Sequence, residues 1–194
     1  TFELDASIME GKDLSAGAVA GLKHVKHPIN AAYAVKTKSP HVMLSGAGAE
    51  EFAKEQGLEM VEDNMYFATP KTMEWIEKLK QESKKNGTVG CVVLDKQGNL
   101  TAGTSTGGMF KKRWGRIGDS PVIGAGTYAD NNSCAVSCTG HGEYFIRHAV
   151  AFDVCARYKY LKESVEKAAD YIIHTELNTN AGNGGLIAVD KLGN

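Results

Sequence analysis

The sequence predicts an α+β protein in which a pair of β-sheets is sandwiched between layers of helices. Runs such as 89–94 and 134–138 have the length of strands and are too apolar for one face to lie in water. Segments with the apolar spacing of helices stand on both sides of these runs, at 29–38 and 142–160. Because sheets and helices each bury an apolar surface against another element, this order favours stacked layers within one domain.

Length and composition agree with a single domain and exclude several classes of partner. A chain of 194 residues can bury a core that needs no metal or disulfide. Its 22 Lys and Arg balance 23 Asp and Glu, so the net charge of -1 indicates neither a nucleic-acid nor a membrane partner. The longest apolar run is far shorter than the roughly 18 residues of a membrane span. The compartment stays open between cytoplasm and periplasm, because the chain has no initiator Met and we expect residues to be missing before Thr1.

The four cysteines are predicted to be free thiols, since none forms a CxxC pair. Cys91, Cys134 and Cys138 stand in apolar, strand-like runs, where a cysteine usually behaves as a small hydrophobe.

The first part of the chain alternates strands and helices. Residues 1–9 carry largely alternating apolar and polar side chains, which predicts a half-buried strand, and the small residues of 16–22 predict a second one. A helix over 29–38 is opened by Pro28, a strand covers 41–44, and a helix over 49–56 ends at Gly57. The intervening Gly46-Ala47-Gly48 imitates a dinucleotide loop, but two glutamates at the helix start would repel a pyrophosphate.

A further helix is expected to begin at Thr69-Pro70 and to run toward Lys85. Its apolar stripe is narrow and its last part, 80–86, is wholly polar. We expect this tail to be mobile and to lead directly into Gly87 and Thr88.

Strands and tight turns dominate the rest of the chain. The strand 89–94 is expected to be buried and to turn back at 95–99. Residues 187–194 repeat this pattern without a return strand, so we expect the chain to be truncated at both ends. Strands are predicted at 121–129 and 134–138, followed by helices at 142–160 and 164–177. The glycine pattern at 124–129 precedes a turn and a strand where a nucleotide loop requires a helix, so it predicts no nucleotide site.

Thr88 is the residue around which a function can be proposed. A threonine hydroxyl is a poor nucleophile unless a base stands beside it, and the α-amine of a chain start can be that base. Such an amine has a pKa of about 7.7 to 8.0. Gly87 leaves the preceding carbonyl uncrowded, although it could also be an ordinary helix stop.

Three further stretches could complete a site. The segment 103–108, Gly-Thr-Ser-Thr-Gly-Gly, places hydroxyls at a strand end, although a bulged turn would use the same residues. Arg116 and Asp119 could hold the α-carboxylate and α-ammonium of a zwitterion, or form an exposed salt bridge. Thr139-Gly140 stands at a strand end where a hydroxyl and a backbone N–H could face an oxyanion.

Taken together, these motifs resemble the plant-type L-asparaginase and isoaspartyl peptidase family of N-terminal nucleophile hydrolases. The resemblance covers nearly the whole chain, including 4–9 and 39–42, and rests on several motifs in order: 87–90, 103–108, 115–121, 124–126 and 139–143. It implies a four-layer αββα sandwich and self-cleavage between Gly87 and Thr88. The products would be an α part, 1–87, and a β part, 88–194, of one folded domain, and such processed pairs would form a homo-oligomer, usually a dimer.

The resemblance also implies a role for each matching residue. Thr88 would be the nucleophile and Thr106 the hydroxyl that positions it. Arg116, Asp119, Gly140 and Gly142 would bind the substrate, and Thr139 and Gly140 would form the oxyanion site. L-Asparagine or a β-aspartyl dipeptide would be hydrolysed through a β-aspartyl ester on Thr88, without metal or organic cofactor. The opening strand and the asparagine-bearing loop of the family, which can hold a structural sodium ion, would precede Thr1.

Two alternatives to this reaction stay open. Aspartylglucosaminidase resembles the chain in 115–121 and would use the same threonine on a sugar-asparagine linkage. The chain could also be an inactive, unprocessed precursor, because Thr88 is internal to it. A metal site is not expected, because His141, His148 and His174 lack Cys or carboxylate partners at ligand spacing.

Overall fold

The computed structural model describes residues 2–70, 73–74, 87–177 and 182–194. Numbered in chain order, the strands are β1 Leu4–Glu10, β2 Ala16–Leu22, β3 Met43–Ser45, β4 Thr88–Leu94, β5 Leu100–Thr106, β6 Thr127–Ala129, β7 Cys134–Gly140 and β8 Gly184–Asp190. The α-helices are α1 Pro28–Lys38, α2 Gly46–Glu55, α3 Gly142–Arg147, α4 Val150–Ala156 and α5 Val165–Asp170. A 3₁₀ turn covers Asn64–Phe67, and π-helical turns extend α4 over Arg157–Leu161 and α5 over Tyr171–Leu177.

These elements form four layers. One sheet has the strand order β3-β2-β1-β5-β4, with only β2 and β3 parallel, and the other is the antiparallel sheet β6-β7-β8. The two sheets pack face to face, chiefly through β4 and β5 against β7. Helices α1 and α2 cover the outer face of the first sheet, and α3 to α5 cover that of the second. The predicted αββα sandwich is therefore confirmed.

Each contact between layers has its own apolar core. Small residues such as Ala6, Ala31 and Ala32 fill the space beneath α1, where the Ala32 carbonyl leaves no room for a side chain at Gly17. The second sheet packs larger groups, including Phe145 and Ile172, against its helices. Between the sheets the apolar cluster is small, comprising Met9, Leu100, Ala102, Ala129 and Ala135. Polar residues occupy the rest of that interface.

Most predicted elements are present. The strand 16–22 has the predicted bounds, the helix that opens at Pro28 is confirmed, and α2 begins three residues earlier than predicted. The predicted strand 121–129 is wrong except for its last three residues, because Ala125 N–H and Gly126 N–H close tight turns onto the Val122 carbonyl. The helix 142–160 is interrupted at Ala149, whose left-handed backbone (φ 46°, ψ 47°) begins α4.

Two predictions of burial are wrong. The polar face of β1 was expected in water, yet Asp5 and Ser7 are fully buried because they face the second sheet. The strand β4 was expected to be buried but lies at the edge of its sheet, and Val89 is 69% exposed. Cys91 is exposed on the same strand and is no core residue, whereas Cys134 and Cys138 are buried as predicted. All four cysteines are free.

The predicted helix that begins at Thr69-Pro70 is described only at 70, 73 and 74, which are helical. Its remainder, including the tail 80–86, lies outside the described residues. Within the described ranges, no helix is both long and apolar enough to span a bilayer.

Candidate active site

Three neighbouring strands bring Thr88, Thr106 and Asp5 into one row. The register of the sheet pairs Thr88 of β4 with Thr106 of β5, and Thr106 with Asp5 of β1. Residues directly opposite on antiparallel strands have Cβ atoms about 4.5 to 5.5 Å apart. A row of three polar residues therefore begins at the edge strand and runs into the interior.

The hydroxyls of Thr88 and Thr106 are in contact, with 3.1 Å between their Oγ1 atoms. Thr106 Oγ1 also donates to the Gly87 carbonyl at 3.0 Å and accepts from the Gly108 N–H at 3.0 Å. A threonine hydroxyl has one hydrogen and two lone pairs. With its hydrogen on Gly87 O, Thr106 must accept the hydrogen of Thr88, so the two hydroxyls bracket the peptide bond that precedes Thr88.

The loop between β5 and β6 places Arg116 and Asp119 beside this pair. A Cβ atom at Gly142 would stand 2.9 Å from both Arg116 Nη2 and Asp119 Oδ1, so Gly142 must lack a side chain for the two to lie here. The predicted substrate-binding residues Arg116, Asp119 and Gly142 are thus brought together. Arg116 and Asp119 do not, however, form the simple salt bridge that was the alternative prediction.

Arg116 is instead held by Glu143, the second residue of α3. Its Nε and Nη2 donate to the two oxygens of the Glu143 carboxylate, each at 2.8 Å. The Glu143 carboxylate raises the pKa of Arg116, and Arg116 lowers that of Glu143. No role was predicted for Glu143, although its place directly after Gly142 in the sequence was a usable signal.

The carboxyl group of Asp119 is buried, and its neighbours do not fully compensate the loss of water around its charge. Burial raises its pKa to about 6, against the opposing effects of its own backbone N–H and of Arg116. Its Oδ2 is buried and has no hydrogen-bond partner among the described residues. A carboxyl group in this condition is typical of sites that receive a ligand.

A cluster of four buried hydroxyls lies beneath the Asp119 loop. We refer to Ser7, Thr104, Thr127 and Ser137 as the hydroxyl cluster; none is more than 3% exposed. Thr127 Oγ1 donates to Thr104 Oγ1 at 2.6 Å, and the hydroxyls of Thr104 and Ser137 are 2.7 Å apart. Ser7 Oγ lies 2.7 Å from Thr127 Oγ1 and donates at 2.6 Å to the carbonyl of Ser120, the residue after Asp119. The cluster joins the two sheets and anchors the loop.

A second buried charge lies at the inner end of the row. Asp5 accepts from Gly21 N–H at 2.8 Å, and burial raises its pKa. Lys112 Nζ stands 3.7 Å from Asp5 Oδ2 and donates to the Glu3 carbonyl at 3.1 Å. Neither Asp5 nor Lys112 was predicted as part of the site. For Asp5 the reason is that the alternation of β1 indicated a side chain that faces solvent.

A narrow pocket connects these groups. Its walls are formed by Thr88, Thr106, Gly108, Met109, Arg116, Gly118, Asp119, Ser120 and Gly140. Gly140 therefore reaches the predicted site from the end of β7. Thr139 shares the face of Ser137 on that strand but is exposed and is not one of the lining residues. Across the described ranges, no group of three His, Cys, Asp or Glu side chains could hold a metal ion.

The αββα order of the layers is that of the N-terminal nucleophile hydrolase type of sandwich. The family described as Asparaginase (Asparaginase_2) matches residues 1–194, and the chain belongs to this family.

Curated relatives are similar to this chain over nearly its whole length. It is 48% identical over 208 residues to a protein of Salmonella typhimurium named isoaspartyl peptidase, covering 100% of this chain and 66% of the relative. The isoaspartyl peptidase of Escherichia coli is 45% identical, and the match covers 100% of this chain and 64% of the relative. A human protein named isoaspartyl peptidase/L-asparaginase is 43% identical, and the match covers 98% of this chain and 64% of the relative. The chain spans about two thirds of the length of these relatives.

Proposed function

We propose that the protein is a threonine amidohydrolase that cuts itself between Gly87 and Thr88 and then hydrolyses L-asparagine and β-aspartyl peptides. The observation that carries the proposal is the contact of Thr106 Oγ1 with both Thr88 Oγ1 and the Gly87 carbonyl. One hydroxyl can attack while the other polarises the carbonyl. The names of the relatives support the choice of substrates.

Self-cleavage would use groups already in contact. Thr88 Oγ1 attacks the Gly87 carbonyl carbon, and Thr106 stabilises the oxygen that becomes negative. Breaking the C–N bond moves the acyl group to Thr88 as an ester, and the nitrogen of Thr88 takes up the proton that its hydroxyl has lost and becomes a free amine. Water then hydrolyses the ester, giving an α part of residues 1–87 and a β part of residues 88–194 within one folded domain.

In turnover the freed amine of Thr88 would take the hydroxyl proton. Thr88 Oγ1 attacks the side-chain carbonyl of the substrate, and Gly140 faces the oxyanion. The leaving amine departs with the proton, as ammonia from asparagine or as an amino acid from a β-aspartyl dipeptide. Water releases aspartate from the resulting ester. No step in this scheme requires a metal or an organic cofactor.

The α-groups of the substrate would be recognised by Arg116 and Asp119. The unpaired Oδ2 of Asp119 offers an acceptor for the α-ammonium group. A substrate α-carboxylate can replace the Glu143 carboxylate on Arg116, because both present two oxygens to the same planar fork. The clamp is thus occupied by a carboxylate of the protein until substrate enters.

The decisive experiment is intact mass and turnover of the full-length protein and of its Thr88→Ala variant. The unmodified protein should give two fragments that meet at Gly87 and Thr88, and the variant should remain one inactive chain. Cleavage of the variant at the same bond would assign the cut to another protease. An unmodified protein that stays intact and inactive would favour the unprocessed precursor. Faster release from a glucosamine-asparagine conjugate than from β-aspartyl dipeptides would favour aspartylglucosaminidase.

A second experiment isolates the clamp from self-cleavage. Arg116→Lys keeps the charge but loses the planar fork, so kcat/KM should fall at least about tenfold while processing continues. Arg113→Lys, at an exposed position of the same loop, is the matched control. Unchanged turnover in Arg116→Lys, or equal reaction of N-acetylasparagine, would contradict the clamp. Sedimentation of the processed protein tests the expected assembly of α–β pairs into a homo-oligomer.

A further inference from the structure

Two cysteines that the proposed reaction does not use face each other behind the second sheet. Cys134 is the first residue of β7, and Cys155 lies in α4. Their sulfur atoms are 2.8 Å apart, and Cys155 Sγ also lies 3.2 Å from the Cys134 carbonyl oxygen. Both residues are buried, with exposures of 0% and 2%. No other side chain separates the two thiols.

The backbones that carry the two thiols are tied together. Ser133 Oγ, next to Cys134, donates to the Cys155 carbonyl at 2.6 Å. The start of α4 is fixed to the loop before β6, because Ala151 N–H donates to Ala125 O at 3.1 Å and Phe152 N–H to Gly124 O at 2.8 Å. Such anchors restrict the motion of α4 over β7. The thiols are therefore held as neighbours by the fold and do not meet by chance rotation.

We propose that Cys134 and Cys155 are a modification site, at which a reversible disulfide links β7 to α4. The oxidant is a low-molecular-weight disulfide such as glutathione disulfide. A disulfide bond is about 2.0 Å long and joins Cβ atoms roughly 3.5 to 4.5 Å apart, so neighbouring side chains on tied backbones can form it with little movement.

The exchange takes place in two steps. The Cys134 thiolate attacks one sulfur of the small disulfide, forming a mixed disulfide and expelling one small thiolate, which takes up the proton. Cys155 then loses its proton, attacks the Cys134 sulfur and expels the second small thiol. Two cysteine S–H bonds are replaced by one S–S bond, and the reagent disulfide is reduced to two thiols.

Cys134 is the attacking sulfur of the pair. The hydrogen bond between the two sulfur atoms lowers the pKa of Cys134, whereas burial raises the pKa of Cys155. Since the thiolate is the reactive form, the first attack comes from β7. Burial of both sulfurs means that the reagent enters only when α4 opens locally, so exchange should be slower than at the exposed Cys91.

The link would stabilise the second sheet together with its helices. It closes the chain from residue 134 to residue 155, which restricts the unfolded state more than the folded one. The oxidised protein should therefore unfold on the order of 5 to 10 °C above the reduced protein. The effect does not depend on the proposed reaction and can be measured in a Thr88→Ala background.

The test is thiol counting by mass spectrometry on the full-length protein. Reduced protein is incubated with glutathione disulfide for increasing times at temperatures well below its unfolding midpoint, where α4 can open locally while the chain stays folded, and free thiols are alkylated under denaturing conditions. We expect a species that has lost two hydrogens and a peptide pair joined through Cys134 and Cys155. Its Tm should exceed that of the reduced protein.

Cys138→Ala is the matched control, because Cys138 is equally buried on the same strand. This variant should keep the cross-link and the rise in Tm, whereas Cys134→Ala and Cys155→Ala should lose both. The proposal is overturned if the equally buried Cys138 is modified while Cys134 and Cys155 remain alkylatable, or if the pair is still alkylatable long after Cys91 has reacted completely. It is equally overturned if the cross-linked peptide joins any other pair.

Discussion

The hydroxyl cluster and Asp119 are both buried polar regions of the intersheet layer, but their hydrogen bonding differs. Each hydroxyl of the cluster finds a partner in the cluster or in a backbone carbonyl. Asp119 retains a buried oxygen with no partner in the described part of the chain. The two regions are joined at the Ser120 carbonyl, which accepts from Ser7 Oγ at 2.6 Å and from Thr127 Oγ1 at 3.4 Å.

This difference separates a structural role from a binding role. Buried polar groups that satisfy one another fix the geometry of a core, and removing one member leaves the others unpaired. A buried carboxyl group without a partner lowers the stability of the fold, so its presence indicates a ligand that completes it. Substitutions in the two regions should therefore change stability in opposite directions.

The largest effect is expected at Thr106, which is hydrogen-bonded like the hydroxyl cluster but lies in the pocket. Thr106→Val keeps the shape and removes the hydroxyl that contacts Thr88 and Gly87. Turnover should fall on the order of 100-fold or more, and self-cleavage should slow as well, because both steps lose a positioned donor. Steady-state kinetics and the time course of fragment formation would measure the two effects.

Ser105→Ala is the control for Thr106→Val, because Ser105 is adjacent on β5 and its side chain points to the opposite face. It should process and turn over normally. Retention of full activity by Thr106→Val would remove Thr106 from the proposed mechanism and place it with the structural hydroxyls.

The second prediction concerns the loss of folding stability that the buried, ionised Asp119 carboxylate causes. Its folded-state pKa is raised to about 6 by burial, whereas its ordinary value is 3.8. The protonated form is favoured in the folded state, so this contribution to stability is complete below pH 3.8 and is lost as the pH rises through about 6. Asp119→Asn imitates the protonated form and should become more stable than the unmodified protein over this range, by up to about 3 kcal/mol at neutral pH.

Urea unfolding of both proteins at several pH values would test this sign, with the two compared in a Thr88→Ala background. Asp170→Asn, an exposed carboxylate on α5, should differ by no more than about 0.5 kcal/mol at every pH. Turnover should nevertheless be lost in Asp119→Asn. A difference that does not grow between pH 4 and pH 7 would show that burial does not penalise the Asp119 carboxylate.

The fold was largely predictable from the sequence because its layers follow local patterns. The bounds of β2 and the start of α1 at Pro28 depend on small-residue spacing and on a proline, which are visible within a few residues. Burial of Asp5 was not predictable, since alternation indicates only that two faces differ. Which face lies inside depends on the second sheet, whose strands come more than a hundred residues later.

The candidate site shows the same limit. The motifs placed Arg116, Asp119 and Gly140 near Thr88, and the structure lines one pocket with all four. The bond from Arg116 to Glu143 and the approach of Lys112 to Asp5 were not foreseen. Both join segments that are distant in sequence, and neither residue pair has a spacing that identifies its partner.

The smallest expected effect tests the hydroxyl cluster through two threonines of the same strand. Thr104 and Thr101 both lie on β5, but Thr104 is buried against Thr127 and Ser137, whereas Thr101 lines the outer face beside Val93. Thr104→Val leaves buried hydroxyls without a partner and should lower the free energy of unfolding by about 1 to 3 kcal/mol. Thr101→Val removes a hydroxyl from a partly exposed, apolar surface, and its free energy of unfolding should stay within about 0.5 kcal/mol of that of the unmodified protein.

Because the cluster also anchors the loop of Asp119 through Ser7, Thr104→Val should raise KM more than it lowers kcat. If the two variants were equally stable, the buried hydroxyls would be no better bonded to each other than to water, and the contrast with Asp119 would not hold.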